Sequence, residues 1–338
     1  MLAELKNDWR LHAVVLAVTG AAAALAHAMG RPEWFRPMMY LQIGPPVAMT
    51  LAGSFAMAML VVALRAEDRV GAVARHFPPS RLLAAAALAA SMLIFKASFS
   101  TIKMLLPQLR PFYADRWLAD LDRALHGADP WRHLRFLDPF DARIEELYHE
   151  TWFALLVIVG AIAVLTPTKR QYMWSYFICW VLLGNVVALA GMSAGPIYYE
   201  QVLGDPRFRD LADHLATSAP AVWMQQQALW KATMEGQAVI GTGISAFPSM
   251  HVSMAALFFL FGLRTHPALG ALFGAFLVFT MVASVHLGWH YAVDGYASIV
   301  ATVLVWKTVG WALGREPGTV NAPRWASWAS GWPGQVRP

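Results

Sequence analysis

The residues best suited to chemistry lie in two short motifs in the last third of the chain. Pro248, Ser249 and His251 precede a long apolar run, and His290 and Asp294 follow about forty residues later. Proline fits the first turn of a helix, so Ser249 and His251 would lie in that turn, where free backbone amides favour an anion such as phosphate. His290 and Asp294 stand four residues apart, which places them on one helix face and lets the carboxylate fix the tautomer of the imidazole. Two histidines beside an anion-binding helix start suit the nucleophile and the general acid of a phosphoryl transfer.

Three other interpretations of these residues stay open. A histidine at a helix end is often structural, although ionisable groups at membrane depth are costly and usually functional. His286, His290 and Asp294 recur at intervals of four and could bind zinc, but no fourth ligand is evident. In a transporter the same groups could bind a lipid phosphate without reacting, although no pair of broken helices in matching halves supports this.

A second group of residues could neutralise a bound phosphate. Lys96, Lys103 and Arg110 follow one another at intervals of seven, or two helical turns, and therefore share one helix face. Cations on that face would offset the charge on the phosphoryl oxygens. The alternative is that Lys103 and Arg110 only extend to the membrane interface. Pro107 is expected to break or kink the helix before Arg110.

The composition indicates a membrane protein. Of 338 residues, 58% are hydrophobic and 14% are charged, whereas about a quarter of the residues of soluble domains are charged. Fifteen tryptophans and nine tyrosines suit anchoring at both membrane interfaces. The one cysteine, Cys179, excludes an intrachain disulfide and a thiolate metal cluster. The net charge of +5 is spread over short loops, which argues against nucleic-acid binding and fits anionic lipid headgroups.

Apolar runs of about 20 residues, the length that crosses a bilayer, recur along the chain. The first could belong to a cleaved signal peptide, because Ala26-His27-Ala28 resembles a cleavage site. However, Glu4 and Asp8 cancel the positive charge expected ahead of a signal peptide, so a retained helix is predicted. We therefore expect an all-α integral membrane protein with about eight spans, at residues 11–29, 47–64, 82–106, 151–166, 172–194, 248–264, 268–287 and 291–313.

These spans divide the chain into three parts. Residues 1–81 would hold two transmembrane helices and a basic cytoplasmic loop, and residues 82–313 a six-helix catalytic core. The core contains two long polar loops, 107–149 and 195–247. Residues 314–338 are rich in Pro, Gly and Trp and are expected to be irregular.

The distribution of positive charge predicts the orientation of the helices. The short loops 65–81, 168–171 and 264–267 are basic, so they are expected inside, with the long loops and both histidine motifs outside. At about 1.5 Å per residue, a hairpin of the sixth and seventh spans returns the second motif to the level of the first. Helical spacing of apolar residues in the long loops predicts interfacial helices near 117–125 and 222–234.

The motifs resemble those of a known family. Residues 248–251 and 290–294 resemble the second and third signatures of the type 2 phosphatidic acid phosphatase superfamily, and Lys103 ahead of Arg110 resembles its first signature. The three occur in the order that is typical of the superfamily. The similarity covers about residues 96–313, which implies a six-helix phosphatase-like core to which the first two spans are additions.

Within the superfamily, the chain is more similar to the inositol phosphorylceramide synthase (aureobasidin-resistance) branch. Segments 111–115, 121–127 and 129–131 are typical of bacterial relatives in that branch. The chain departs from the classical third signature six residues before His290, where Ser284 stands in place of an arginine. This departure agrees with a synthase-like enzyme better than with a simple phosphatase.

The resemblance also implies roles for individual residues. His290 would be the nucleophile that forms a phosphohistidine, Asp294 would orient it, and His251 would protonate the leaving oxygen and then activate the acceptor. No metal and no cofactor are implied. The phosphate would be held by Lys103, Arg110 and Ser249.

The expected reaction moves a phosphate or a phospho-headgroup from a phospholipid to a lipid hydroxyl, or to water in a phosphatase. The partners are therefore a phospholipid donor, a lipid or water acceptor and the bilayer itself. The expected location is the bacterial inner (plasma) membrane, with the active site on the extracytoplasmic face.

Overall fold

The computed structural model describes residues 2–237, 241 and 243–314, and this part of the chain contains helices and turns but no β-strand. The expected irregular tail after Gly314 lies outside the described residues. In chain order the helices are α1 (Leu2–Ala28), α2 (Gly44–Arg65), α3 (Arg69–His76), α4 (Pro79–Leu109), α5 (Asp115–His126), α6 (Pro130–His133), α7 (Asp141–Glu146), α8 (Trp152–Leu165), α9 (Lys169–Ile178), α10 (Ala188–Ala190), α11 (Tyr199–Leu203), α12 (Arg209–Ser218), α13 (Pro220–Glu235), α14 (Met250–Thr265), α15 (Pro267–His286) and α16 (Ala292–Gly314). The π-helical segments Leu147–Thr151 and Cys179–Val187 connect α7 to α8 and α9 to α10.

The described chain has seven helical segments that are long and apolar enough to cross a membrane. The sixth expected span corresponds to α14, which has 16 residues and is about 24 Å long, less than the roughly 30 Å of a hydrocarbon core. The fold is therefore that of an all-α, multi-pass membrane protein, as the composition predicts. The seven segments are Asp8–Ala28, Pro32–Leu64, Pro79–Leu109, Arg135–Leu165, Lys169–Ala190, Pro267–His286 and Ala292–Gly314.

An apolar core lies where α4, α9 and α14 meet. The ring centroids of Phe95 and Phe177 are 4.8 Å apart in an edge-to-face contact, and those of Tyr172 and Phe261 are 5.2 Å apart. Because lipid is as apolar as these side chains, close packing rather than removal from water holds the helices together.

The N-terminal part of the chain folds onto the core helix α4. α1 packs along α4, and the segment between α1 and α2 is fastened to α4 by two hydrogen bonds. Thr101 Oγ1 donates to the carbonyl oxygen of Trp34 at 3.1 Å, and the hydroxyls of Tyr40 and Ser100 are 2.7 Å apart. The first two membrane helices are thus attached beside the predicted cation face of α4.

Two prolines were predicted to shape helix ends, and the prediction for Pro248 was wrong. Pro248 precedes the helix, because Ser249 takes the N-cap position of α14 and its Oγ accepts from the backbone of Val252 at 3.4 Å; serine is a preferred N-cap. The Phe247–Pro248 peptide bond is cis. Pro107 does not break α4, which continues to Leu109. Because proline has no backbone N–H, the helix lacks one hydrogen bond at Pro107. The backbone N–H of Arg110 still donates to the carbonyl oxygen of Leu106 at 2.9 Å.

A tight hairpin of α14 and α15 brings the two histidine motifs to one end of the bundle. Gly262 allows the close approach, because a Cβ there would lie 2.8 Å from the carbonyl oxygen of Leu269. α15 has 20 residues and α14 has 16, so at about 1.5 Å per residue the start of α14 lies roughly 6 Å short of the end of α15. His251 therefore lies below that end of the bundle, at membrane depth.

Candidate active site

A cavity of about 390 Å³ opens at the end of the bundle where α14 begins. Both motif histidines, His251 and His290, line it, together with Lys96 and Lys103 of α4. The size is that of a small-molecule site. Aromatic side chains form a large part of the remaining wall, among them Tyr148, His149, Trp152, Trp180 and Trp289.

His251 lies in the first turn of α14 between two aromatic rings. Its ring stacks on Tyr148, with centroids 4.8 Å apart, and lies 4.2 Å from the ring of Trp152. Trp152 also donates its indole proton to the carbonyl oxygen of His251 at 3.1 Å. The buried Nε2 of His251 has no hydrogen-bond partner among the described residues. Since buried polar atoms are nearly always paired, this nitrogen is available to a ligand.

His290 precedes α16 and is held by an acid in the first turn of that helix. Its Nδ1 lies 3.3 Å from Oδ2 of Asp294, and the same oxygen accepts from the backbone of Tyr291 at 3.0 Å. Asp294 is fully buried. The backbone N–H of His290 donates to Ser284 at 3.2 Å. Hydrogen bonds to the backbone and to the ring of His290 thus fix the orientation of its imidazole.

Burial and the nearby positive charge of Lys103 lower the pKa of His290 to about 3. The imidazole is therefore neutral at physiological pH. A neutral imidazole has a lone pair on one ring nitrogen, which is the state that a nucleophile needs.

The two lysines of α4 face aromatic rings and not acids. Lys96 Nζ lies 3.0 Å from the centroid of the Trp180 ring, and Lys103 Nζ lies 5.8 Å from that of Phe99. Neither lysine forms a salt bridge with an acid of the described residues. Gly243, with φ +100°, packs on Lys103, because a Cβ at Gly243 would lie 2.8 Å from the lysine backbone carbon. Two cations without a counter-ion make this cavity suited to an anion.

Two other predicted phosphate ligands lie outside the cavity wall. The Arg110 guanidinium covers the ring of Tyr113 at 4.2 Å and donates to the carbonyl oxygen of Ala190 at 3.3 Å. Ser249 is fully buried and uses its Oγ to cap α14. The structure therefore brings His251, His290, Asp294 and Lys103 together, whereas Arg110 and Ser249 do not line the same cavity.

Two acids of α5 that sequence reasoning did not single out position the second motif. Asp122 accepts from the backbone N–H groups of Ala292 at 2.7 Å and Val293 at 2.9 Å, and so caps α16 directly after His290. Burial raises the pKa of Asp122, and the two backbone hydrogen bonds oppose that rise.

Asp115, seven residues before Asp122, joins the motif to a neighbouring loop. Its carboxylate accepts from the backbone of Ala194 at 2.9 Å and of Gly195 at 2.8 Å, and from the hydroxyl of Tyr291 at 3.0 Å. Burial raises the pKa of Asp115, which these hydrogen bonds oppose. Two acids seven residues apart on one amphipathic helix were the available sequence signal.

The aromatic wall was also missed. The Tyr148 hydroxyl and the Trp289 indole nitrogen are buried without hydrogen-bond partners among the described residues, and both side chains line the cavity. Each is a donor that a phosphate oxygen could satisfy. Trp289 is adjacent to a motif histidine, but Tyr148 lies at the start of a membrane helix, where an aromatic residue is ordinarily an interface anchor.

His286, one of the three ligands suggested for zinc, has a different partner. His286 turns to Asp141, with Nε2 2.6 Å from Oδ1, and His214 approaches the same acid at 2.9 Å. Asp138, Asp141 and His214 form a group with metal-ligand spacing, but these residues do not line the catalytic cavity. The pair of imidazoles on Asp141 ties the end of α15 to α12.

Helices of membrane-spanning length surround a cavity lined by two histidines and two lysines, which defines a multi-pass membrane protein with a basic cavity. A family model of the PAP2 superfamily matches residues 116–308, more than half of the chain. The chain belongs to this superfamily. His251, His290 and Asp294 lie within the matched residues, whereas Lys103 and Arg110 precede them. Neither the curated proteins nor the solved structures contain a match.

Proposed function

We propose that this protein is a membrane phosphotransferase that moves a phosphate or phospho-headgroup from a phospholipid to a lipid hydroxyl, the reaction type of inositol phosphorylceramide synthases. Membership of the PAP2 superfamily supports action on a phosphate ester in general. The observation that carries the finer proposal is the shared cavity of His251, His290 and Lys103 within the membrane-spanning bundle.

In the first step, Nε2 of His290 attacks phosphorus. Asp294 supports this assignment, because its carboxylate accepts a hydrogen bond from the Nδ1–H group, and in that tautomer the lone pair is on Nε2. The bond from phosphorus to the lipid oxygen breaks, and protonated His251 gives its proton to that oxygen. The products are a phosphohistidine and a lipid alcohol.

In the second step, the acceptor hydroxyl attacks the phosphohistidine. Neutral His251 takes the hydroxyl proton, and the bond from His290 to phosphorus breaks, which returns both imidazoles to their starting states. His251 thus acts as acid and then as base. Water in place of the lipid hydroxyl would make the protein a phosphatase.

Lys103 would neutralise the phosphoryl oxygens. Lys96 is a better second cation than Arg110, because it lines the cavity and lies with Lys103 on one face of α4. It would take the place of the arginine that is absent at Ser284. Fixed positive charges in a site that excludes water stabilise the transition state of phosphoryl transfer.

The proposal also covers the extent of the catalytic core and the side of the membrane on which the cavity lies. The core would extend from residue 82 to 313, with the N-terminal helices as an addition. Basic short loops support an orientation with the cavity on the extracytoplasmic face of a bacterial inner membrane.

Product analysis tests this function. Purified protein in detergent is given labelled phospholipids with different headgroups, with and without ceramide or diacylglycerol. We expect a new lipid that carries the labelled phosphate when the alcohol is present, and no turnover by a folded His290→Ala variant. Release of phosphate or headgroup to water alone would identify a phosphatase instead. Binding without any product would indicate a transporter, because no transport is possible in detergent.

A further inference from the structure

A second cavity, of about 510 Å³, lies beside the catalytic cavity within the membrane-spanning part of the protein. Its walls belong to α2, α4 and α8, and we call it the α2–α4–α8 groove. The phosphoryl transfer described above makes no use of it. Its wall is mostly apolar, as in Val47, Leu51, Phe55, Leu88, Met92 and Val157.

The groove adjoins the catalytic cavity. Tyr40, Ile43, Lys96 and Phe153 line both spaces and form the junction between them. Tyr40 is fixed there by its hydrogen bond to Ser100. A ligand that extends from the histidines into the groove would pass between these four side chains.

The depth of the groove matches one leaflet of a bilayer. On α4 the lining extends from Lys96 to Ala85, eleven residues further along the helix or about 16 Å, at roughly 1.5 Å per residue. From Ile43, directly before α2, to Phe55 on α2, it extends twelve residues or about 18 Å. Half of a hydrocarbon core is about 15 Å. The two walls thus have the length of one leaflet of acyl chains.

The polarity of the wall changes along the groove. The charged residues Lys96 and Glu150 lie at the end next to the catalytic cavity. Deeper down, the hydroxyl of Thr50 is used within its own helix, where it donates to Pro46 at 3.0 Å. A polar headgroup at the junction and an apolar chain below it match this pattern.

We propose that the α2–α4–α8 groove binds one acyl chain of the phospholipid whose phosphate reacts at His290, and that its depth selects the length of that chain. The proposal rests on the proposed function and deepens it. The added N-terminal helix α2 then serves as a wall of the substrate site. The occupant is an acyl chain because the groove lies between membrane-spanning helices, adjoins the phosphate cavity and has the length of one leaflet.

Two substitutions that shorten the groove test the proposal. Gly160 on α8 and Ala89 on α4 line it from two sides, each seven residues, or about 10 Å, below the junction residues Phe153 and Lys96. A Cβ at Gly160 meets no atom closer than the Met92 methyl at 3.9 Å. Gly160→Phe and Ala89→Phe therefore place a ring in the groove. Val278→Phe, at a side chain that is 64% exposed on α15, is the matched control.

The readout is kcat/KM for p-nitrophenyl phosphate, dioctanoyl phosphatidic acid and dioleoyl phosphatidic acid. In both groove variants we expect the ratio of dioleoyl to dioctanoyl turnover to fall about tenfold or more, because a chain stopped short displaces the phosphate, and small misplacements cost up to about 100-fold. Hydrolysis of p-nitrophenyl phosphate should stay within about twofold of the wild type, and the control should keep the wild-type ratio. An unchanged ratio in the two folded groove variants, as for a groove that holds only a structural lipid, would overturn the proposal.

A labelling experiment separates failure of the groove from failure of the proposed function. Phosphatidic acid with a diazirine near the end of one chain should label peptides of α2, α4 and α8 in the wild type and less so in Gly160→Phe. If the wild type turns over none of the three substrates, the proposed function fails, and this labelling still decides the groove. Labelling confined to other helices would contradict chain binding in the groove.

Discussion

His251 and His290 line one cavity, but their surroundings differ, and the difference is the basis of the two roles that we propose for them. His290 has a buried carboxylate at Nδ1, as a nucleophile that must keep one tautomer requires. His251 lies between aromatic rings, with an unpartnered buried Nε2. A proton held on that nitrogen can be given to a leaving oxygen.

The role of His251 as general acid predicts a dependence on the leaving group. We expect His251→Ala to reduce kcat/KM for a lipid phosphate by about 10²–10⁴-fold. The same variant should retain most of its kcat/KM for p-nitrophenyl phosphate, because kcat/KM reports the first step and this leaving group departs without a proton. Steady-state kinetics with both substrates measure the difference.

His290→Ala is the control in this comparison, since it should abolish both activities. Equal losses on the two substrates in His251→Ala would contradict an acid role and indicate that His251 only supports the shape of the cavity.

The pKa of His290 predicts a pH profile. Because its pKa is lowered to about 3, the imidazole is neutral and able to attack above that pH, so wild-type kcat/KM for p-nitrophenyl phosphate should show no acid limb from His290 between about pH 5 and 8. Lys103→Met removes a positive charge that lowers this pKa, so the pKa should rise and the acid limb should move to higher pH. Both profiles use one substrate, so its own ionisation cancels. A lower rate in Lys103→Met with an unshifted profile would show that the lysine does not act on His290.

Sequence reasoning predicted the relative positions of these residues better than their surroundings. The spacing of His290 and Asp294 brought them into contact, although His290 lies ahead of the helix. The interval of seven correctly placed Lys96 and Lys103 on one face. The same interval did not place Arg110 on that face. α4 ends before Arg110, and the extended backbone there turns the guanidinium towards Tyr113. The stacking of Tyr148 on His251 depends on tertiary contacts with no local pattern.

At the level of elements, α5 holds the backbone around His290 in position. Asp115 and Asp122 take hydrogen bonds from two loops that meet only in the folded protein. The helix is held in turn by Arg207, whose guanidinium donates to Asp120 at 2.5 Å and to Asp129 at 2.6 Å. The long polar loops thus carry the groups that fix His290.

Removal of the α5 cap should misplace His290. We expect Asp122→Ala to lower the free energy of unfolding by about 0.5–2 kcal/mol, as for loss of a helix cap, and to lower kcat by about tenfold or more because the capped amides directly follow the nucleophile. Asp122→Asn keeps one acceptor oxygen and should recover part of both losses. Thermal unfolding in detergent and kcat are the two measurements.

An equal kcat for Asp122→Ala and the wild type, despite a lower unfolding temperature, would leave Asp122 with a structural role only. Both measurements are needed, because a cap that acts on stability alone would not change the kcat of the folded enzyme.

The long helices were predictable from the sequence and their short connections were not. Apolar runs gave most membrane helices to within a few residues, as for α15 and α16, whereas α1 begins nine residues before its predicted span. The start of α14 was misplaced by two residues, because the serine N-cap competes with proline at N1 and took precedence. α5 was expected as an interfacial helix, but its acids bond to backbone groups about 80 and 170 residues away, which helical spacing cannot reveal.

At the scale of the whole molecule, the N-terminal helices and the core form one substrate path in this account. Composition predicted a membrane protein, and the hairpin of α14 and α15 made the meeting of the histidine motifs predictable. The α2–α4–α8 groove could not be predicted from the sequence, because its walls come from three separate helices. Such a space depends on how side chains fill the gap between helices.

The predicted orientation can be measured by cysteine labelling. Leu125 of α5 is 60% exposed on the long-loop side, and Ala268 is exposed at the opposite end of the bundle. Cys179 is buried and should give little background. In intact cells we expect a membrane-impermeant maleimide to label Leu125→Cys, and Ala268→Cys only after permeabilisation. The reverse pattern would place the cavity on the cytoplasmic face.

The most direct test of the whole account is capture of the covalent intermediate. Protein incubated briefly with phosphatidic acid labelled at phosphorus, then quenched and digested, should yield one labelled peptide that contains His290, with the acid-labile and base-stable bond of a phosphohistidine. Asp294→Asn should retain the site of labelling and reduce its rate, and His290→Ala should show no label. Turnover by the wild type with no label at His290, or label on His251 instead, would contradict the account.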